Sequence, residues 1–223
     1  MPGFRAQRSG SLNNKLKRII KIFILAAGIL FIPVLLSPLP RFKVPLSTVV
    51  EAGDGSLLGA RIASDGQWRF PPAMAVPEKF EKALLTFEDR HFHHHPGINP
   101  VSLIKALSNN IRAGKIVRGG STITMQVARL SRGNRQRTYG EKIAEMLQAV
   151  KLEIFRSKRE ILKMYVSNAP FGGNIVGLDA ASWRYLGKSP DDITWSEAAA
   201  LAILPNSPSL VFPGKNQEIL LDR

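Results

Sequence analysis

The longest apolar run in the chain comes first. From Ile22 to Leu36 the sequence IFILAAGILFIPVLL has fifteen residues and no charge. With Ile19 and Ile20 it predicts a transmembrane helix over residues 19–37, Lys21 snorkelling toward the headgroups. A run this long also suits the core of a cleaved signal. No small-x-small cleavage site follows, however, and the chain continues Ser37-Pro38-Leu39-Pro40-Arg41. The expectation is an uncleaved anchor.

Residues 38–48 carry three prolines and predict a short stiff connector. Over residues 48–70 the apolar pairs Val49-Val50 and Leu57-Leu58 flank Gly53-Asp54-Gly55, and Ser64-Asp65-Gly66 precedes Trp68 and Phe70. Short apolar pairs separated by such turns predict a small β element, the only β-like stretch in the chain.

After Pro77 the periodicity becomes helical. Asn99 is placed to cap a helix that begins at Pro100 and ends before Gly114, with Leu103, Ile104, Leu107 and Ile111 on one face. A helix from Tyr139 to Phe155 has an apolar stripe at Ile143, Met146, Leu147, Val150 and Ile154. Capping-box spacing recurs at Thr138/Glu141, Ser157/Glu160 and Thr194/Glu197. The expected fold class is mainly α, with a small N-terminal β element and one N-terminal transmembrane helix. Its segments are a basic arm over 1–18, an anchor over 19–37, connector and β element over 38–70, and a helical domain over 71–223.

Charge changes the picture by its distribution. The net charge is +14, and six of these charges (Arg5, Arg8, Lys15, Lys17, Arg18 and Lys21) lie in residues 1–21, which hold no acid. A basic arm before an apolar span predicts a cytoplasmic N-terminus, so everything after residue 40 lies outside the cytoplasm. That position argues against nucleic acid as a partner. Anionic lipid or a phosphorylated substrate remains for the basic outer domain. The chain has no cysteine, which excludes disulfides, thiolate catalysis and cysteine-bound zinc.

Three clusters could carry chemistry. The first, Glu88-Asp89-Arg90-His91-Phe92-His93-His94-His95-Pro96-Gly97, holds all four histidines. Consecutive side chains point in different directions and no second ligand cluster is visible, so no metal site is expected. The second, Gly119-Gly120-Ser121-Thr122-Ile123-Thr124-Met125-Gln126, leads glycines and hydroxyls into a helix N-terminus, a natural anion cradle. Arg129, Arg137 and Lys142 follow, either as a solvated basic face or as a clamp for diphosphate oxygens. The third is a set of carboxylates. Glu141, Glu160 and Glu197 have explanations as cap partners, which leaves Glu88 and Glu145 as candidates for a general base. Glu145 lies opposite the apolar stripe of its helix.

Together these clusters resemble the family 51 glycosyltransferase domain of class A penicillin-binding proteins and monofunctional transglycosylases, over roughly residues 50–215. Five motifs occur in the family's order. EDRHFHHHPG fits E-D-x-x-F-x-x-H-x-G through Glu88, Asp89, Phe92, His95 and Gly97; GGSTITMQVAR, RTYGEKIAE, KREILKMYVSNAPFGGNIVGLDAAS and ALAILPNSPSLVFP fit the other four. Met125 and the Asn168-Ala169-Pro170-Phe171-Gly172-Gly173 run look most like the 1C type.

The resemblance implies a lysozyme-like fold with a membrane-dipping jaw. It implies a peptidoglycan glycosyltransferase that joins lipid-linked disaccharides (lipid II) into a growing glycan strand, releasing polyprenyl diphosphate on the outer face of the bacterial inner membrane. It also implies that Glu88 deprotonates the acceptor sugar's 4-hydroxyl and that Glu145 is a second essential carboxylate. Arg129 and Arg137 would hold the donor diphosphate with Lys142 nearby, and Asp89, Ser121, Thr122 and Gln126 would contact substrate. No cofactor is demanded, and a divalent cation, Mg or Mn, is left as an option. Other cell-wall synthesis proteins are potential partners.

Three positions depart from the family pattern: Glu141 where an arginine is usual, Ser167 for an asparagine, and Met125 for a glutamine. Ser102-x-x-Lys105 and Ser108-x-Asn110 match transpeptidase motifs by letter but sit on one predicted helix, and the chain has no Lys-Thr-Gly. The alternatives are a lysozyme-like lytic enzyme and an inactive membrane-anchored scaffold.

Overall fold

The computed structural model describes residues 16–18, 21–22, 28, 32–72, 74–115, 119–133, 135–136 and 138–206. The chain divides into two compact units, residues 1–39 and 40–223. In the first unit residues 32–36 are helical, and Ser37 closes that turn with its amide on the Pro33 carbonyl at 3.0 Å. Among the described residues no helix is long and apolar enough to cross a membrane. Much of the predicted anchor, namely residues 19–20, 23–27 and 29–31, lies outside them.

The second unit is mainly helical. It opens with a hairpin of β1 (Thr48–Glu51) and β2 (Leu57–Arg61), paired antiparallel with Thr48 opposite Arg61. Among the described residues seven α-helices follow: α1 (Glu78–Glu88), α2 (Pro100–Ala113), α3 (Ile123–Ser131), α4 (Tyr139–Phe155), α5 (Lys158–Asn168), α6 (Leu178–Leu186) and α7 (Trp195–Ile203).

The β structure is not confined to the N-terminal side. β3 (Trp68–Arg69) runs parallel to β5 (Ile175–Val176), which pairs antiparallel with β4 (Pro170–Gly172). Strands of two and three residues leave no alternation to detect, so sequence pattern passes over them. This second sheet ties residues 68–69 to the chain that leaves α5.

Capping signals were largely sound. The Asn99 side chain accepts from the Ser102 amide, Pro100 opens α2, and Gly114 ends it in the left-handed conformation. Ser157/Glu160 and Thr194/Glu197 form complete capping boxes. Thr138/Glu141 forms only half of one, because the Glu141 side chain is engaged elsewhere.

The core gathers Phe80 and Leu84 of α1, Phe92, Ile123 and Val127 of α3, Leu152 of α4, and Ile161 and Tyr165 of α5. α3 packs against both α4 and α5, and α1 against α7. The predicted stripe of α4 is not its buried face. Ala149 and Leu152 are buried, whereas Ile143 and Ile154 are more than half exposed. Glu145 therefore lies on the packed side of α4. Most of the apolar face of α2 is likewise uncovered: Ile104, Leu107 and Ile111, with Val101, are 60–71% exposed, whereas Leu103 is half-buried beside Gly120 and only Ala106 is buried.

Candidate active site

Glu88 ends α1, and the next residue turns the chain. Asp89 caps the helix through its amide and points its carboxylate inward, leaving it 7% exposed. Asp89 Oδ2 accepts from the Ile123 amide at the start of α3 (3.1 Å), and both Asp89 oxygens lie 3.0–3.1 Å from His95 Nε2. The Gly97 amide donates to His95 Nδ1 at 3.2 Å, which assigns the ring proton to Nε2 and makes that nitrogen the donor to Asp89.

Thr122 joins the same frame. Its hydroxyl donates to the Gly97 carbonyl at 2.6 Å and accepts from the Met125 amide as the cap of α3. Gly97 itself has φ 86°, and a Cβ there would lie 2.7 Å from the Ala149 carbonyl oxygen of α4. Only glycine fits that close approach. Behind the turn, Glu153 accepts from Thr124 (2.6 Å) and Lys158 (2.7 Å), and Lys158 also donates to the His95 carbonyl at 2.7 Å. The histidine-rich turn is thus fastened to α3, α4 and α5. Asp89 and Thr122 are interior parts of this frame.

Glu88 faces the other way. Its Oε2 accepts from Gln126 Nε2 at 2.8 Å, and the Tyr165 hydroxyl lies 3.5 Å from Gln126 Oε1. Its Oε1 is buried without a hydrogen-bond partner among the described residues. Burial pushes the Glu88 carboxyl above its ordinary range, with the Gln126 hydrogen bond and the Arg129 charge opposing that rise and the neighbouring Asp89 adding to it. Burial also raises the Tyr165 phenol, and the Glu88 charge adds to the effect.

A second group surrounds Glu145. Lys142 Nζ donates to Ser121 Oγ and pairs with Glu145 Oε2 at 3.3 Å. Glu145 and Arg129 line a common cavity of about 360 Å³, together with Leu130, Arg132, Gly133, Arg135, Gln136, Glu141 and Pro170. Arg137 lies outside the described residues.

Arg132 and Arg135 are the residues sequence reasoning missed, although they fall in the same basic stretch as Arg129. Arg132 Nη2 and Nε donate to Glu141 Oε2 at 2.8 and 3.1 Å, and Arg135 Nη1 to Glu141 Oε1 at 3.3 Å. Glu141 is therefore an arginine partner and not the reciprocal cap expected of it. The Arg132 hydrogen bonds, aided by Arg135, hold its carboxyl below the usual range.

The other two departures lie off the cavity. Met125 is wholly buried in the core, while Gln126 beside it reaches Glu88. Ser167 is buried, and its hydroxyl has no partner among the described residues. Within the same limits no three His, Cys, Asp or Glu side chains come together as a metal site. A cavity with three arginines and two carboxylates offers a divalent cation no protein-only cage.

The chain that carries this site matches a known family along most of its length. Residues 55–223 fit the family model described as transglycosylase. The chain belongs to the transglycosylase family. This transglycosylase domain is 46% identical over 179 residues to penicillin-binding protein 1C of Escherichia coli (strain K12), covering 80% of this chain and 23% of that protein. It is 40% identical to penicillin-binding protein 1A of Aquifex aeolicus (66% and 20% covered) and 36% identical to penicillin-binding protein 1A of Pseudomonas aeruginosa (80% and 22%). The chain spans between a fifth and a quarter of the length of these relatives.

Proposed function

We propose that this transglycosylase domain is a peptidoglycan glycosyltransferase, joining lipid-linked disaccharides into a glycan strand, with Glu88 as general base. The observation that carries this reading is the half-buried Glu88 carboxylate. One of its oxygens is held by Gln126, and the other is buried and free of partners among the described residues. A base for a sugar hydroxyl needs a fixed oxygen at hydrogen-bond reach and a raised proton affinity.

In the proposed step the acceptor's 4-hydroxyl oxygen forms a bond to the anomeric carbon of the donor while the Glu88 carboxylate takes its proton. The bond from that carbon to the diphosphate oxygen breaks, and the diphosphate leaves with the electron pair. Arg129, on the cavity wall, meets the charge that develops on the leaving group, as preorganised cations do. Glu145 keeps Lys142 Nζ in place beside Ser121. Asp89 and Thr122 contribute by fixing the frame, Asp89 tying the residue after Glu88 to the first amide of α3.

The finer features belong to the same proposal. The arrangement of helices around a glutamate at a helix end is lysozyme-like. Residues 19–37 anchor the chain in the bacterial inner membrane, with the domain on the outer face. The uncovered apolar face of α2, with Lys105 and Arg112 beside it, suits a surface that dips into the bilayer next to the site.

Incubating the purified chain with lipid-linked disaccharide in detergent tests the activity. Polymer and released polyprenyl diphosphate are expected. Shortening of added glycan strands would point to a lytic enzyme, and binding without turnover to a scaffold.

A further inference from the structure

The carboxylate of Glu141 occupies the place an anion would take in the cavity. Arg132 offers it the edge of its guanidinium, Nε and Nη2 both directed at Oε2, and Arg135 closes on Oε1. Two guanidinium N–H groups of Arg132 thus converge on one carboxylate oxygen, a charge-assisted contact that a phosphate oxygen accepts equally. Glu141 and Arg132 have side chains about a quarter exposed, so the pair is shielded without being sealed, and Arg135 is 60% exposed. All three line the same cavity as Arg129 and Glu145.

The topology lets this contact open. Arg132 is the C-cap of α3 and Arg135 lies in the following connection, while Glu141 stands in the first turn of α4. The Thr138 cap of α4 uses the Glu141 amide, leaving the Glu141 side chain free to leave the arginines without unwinding the helix. Glu141 and Glu145 are one turn apart on one helix face, so their charges repel and the arginines offset that repulsion. Guanidinium donors remain as well: Arg135 uses only Nη1 in this contact.

We propose that Arg132 and Arg135 form a second anion-binding pair in this cavity, and that Glu141 is a tethered carboxylate which an incoming diphosphate displaces from them. This proposal rests on the glycosyltransferase reading for its ligand class. The exchange conserves the arginines' hydrogen bonds, trading a carboxylate for phosphate oxygens. Its consequence is tempered affinity: the cavity holds the diphosphate of the donor less tightly than its arginines alone would, so the released diphosphate also departs more readily.

The experiment uses the full chain in detergent and inorganic pyrophosphate as probe, with dissociation constants measured by calorimetry at low and moderate salt. Glu141→Gln keeps an oxygen that can accept from Arg132 but removes the competing charge, and should tighten pyrophosphate binding about tenfold. Arg132→Gln with Arg135→Gln should weaken binding about tenfold and shrink the effect of Glu141→Gln in the same background to less than about twofold. Equal or weaker binding by Glu141→Gln would overturn the proposal, as would a full gain in the absence of both arginines. Arg135→Gln alone, at the most exposed of these positions, repeats the test in smaller measure should the double variant misfold. Polymerisation by the parent chain is scored separately. Tightening without polymerisation sinks the catalytic reading and leaves the exchange; polymerisation without tightening does the reverse.

Discussion

Glu88 and Asp89 are consecutive acids with opposite environments, and variants should separate them. Glu88→Gln keeps the shape and the contact with Gln126 but abolishes basicity, so turnover should fall by about 10²–10⁴. The fold raises the carboxyl above its ordinary value of 4.5, which means the native state favours the protonated form. Stability is therefore lost as pH rises from that ordinary value through the raised one. Removing the charge reverses the loss, and Glu88→Gln should melt at or above the parent temperature at neutral pH. A lower melting temperature would mark Glu88 as a structural residue. Asp89→Ala, in contrast, strips acceptors from His95 and the Ile123 amide and should cost about 2–3 kcal/mol in denaturant unfolding. The raised carboxyl also sets the sign of the pH profile. The acid limb of kcat/KM should lie above the usual glutamate range, and Arg129→Gln, which removes a favourable charge, should shift it further upward.

Among the elements, what was legible in the sequence was local. Caps and helix ends at Asn99, Gly114, Ser157 and Thr194 depend on partners three or four residues away, and these formed as expected. Glu141 shows the limit. Its spacing from Thr138 indicates a cap, while its actual partners, Arg132 and Arg135, approach from the preceding connection. Apolar periodicity had a similar blind spot. It identifies which residues of α2 and α4 share a face, yet it does not say what covers that face. Gly97, lacking a Cβ, admits the α4 backbone at Ala149, and Ile143 of the same helix is left exposed. Glu88 was recognisable as a candidate, but its hydrogen bond from Gln126 depends on α1 and α3 being brought together by Asp89. The uncovered face of α2 makes its own prediction. Replacing Ile104, Leu107 and Ile111 with serine should leave the melting temperature within a few degrees, since exposed sites contribute little to folding. Co-sedimentation with phospholipid vesicles should drop several-fold when the same variant is made in residues 40–223, without the proposed anchor. Undiminished vesicle binding would remove α2 from the membrane-facing surface.

For the molecule as a whole, the proposed membrane setting would use the basic charge of residues 40–223 and the uncovered apolar helix face in different ways. Attraction between the basic chain and anionic headgroups is screened over about 10 Å at 0.1 M salt, whereas burial of apolar side chains is not. Binding of residues 40–223 to anionic vesicles should accordingly fall as salt rises and level off above zero; complete release at high salt would leave charge as the sole attraction. The buried oxygen of Glu88 has a separate consequence, for inhibitor design. Oε1 has no hydrogen-bond partner among the described residues, so a ligand group that reaches it displaces no internal bond. A neutral molecule carrying one correctly placed hydroxyl could then gain a charge-assisted hydrogen bond while leaving the arginine-lined cavity empty. Such compounds need no diphosphate mimic, the feature that most hinders passage across membranes, and the part of the site they exploit is a single atom.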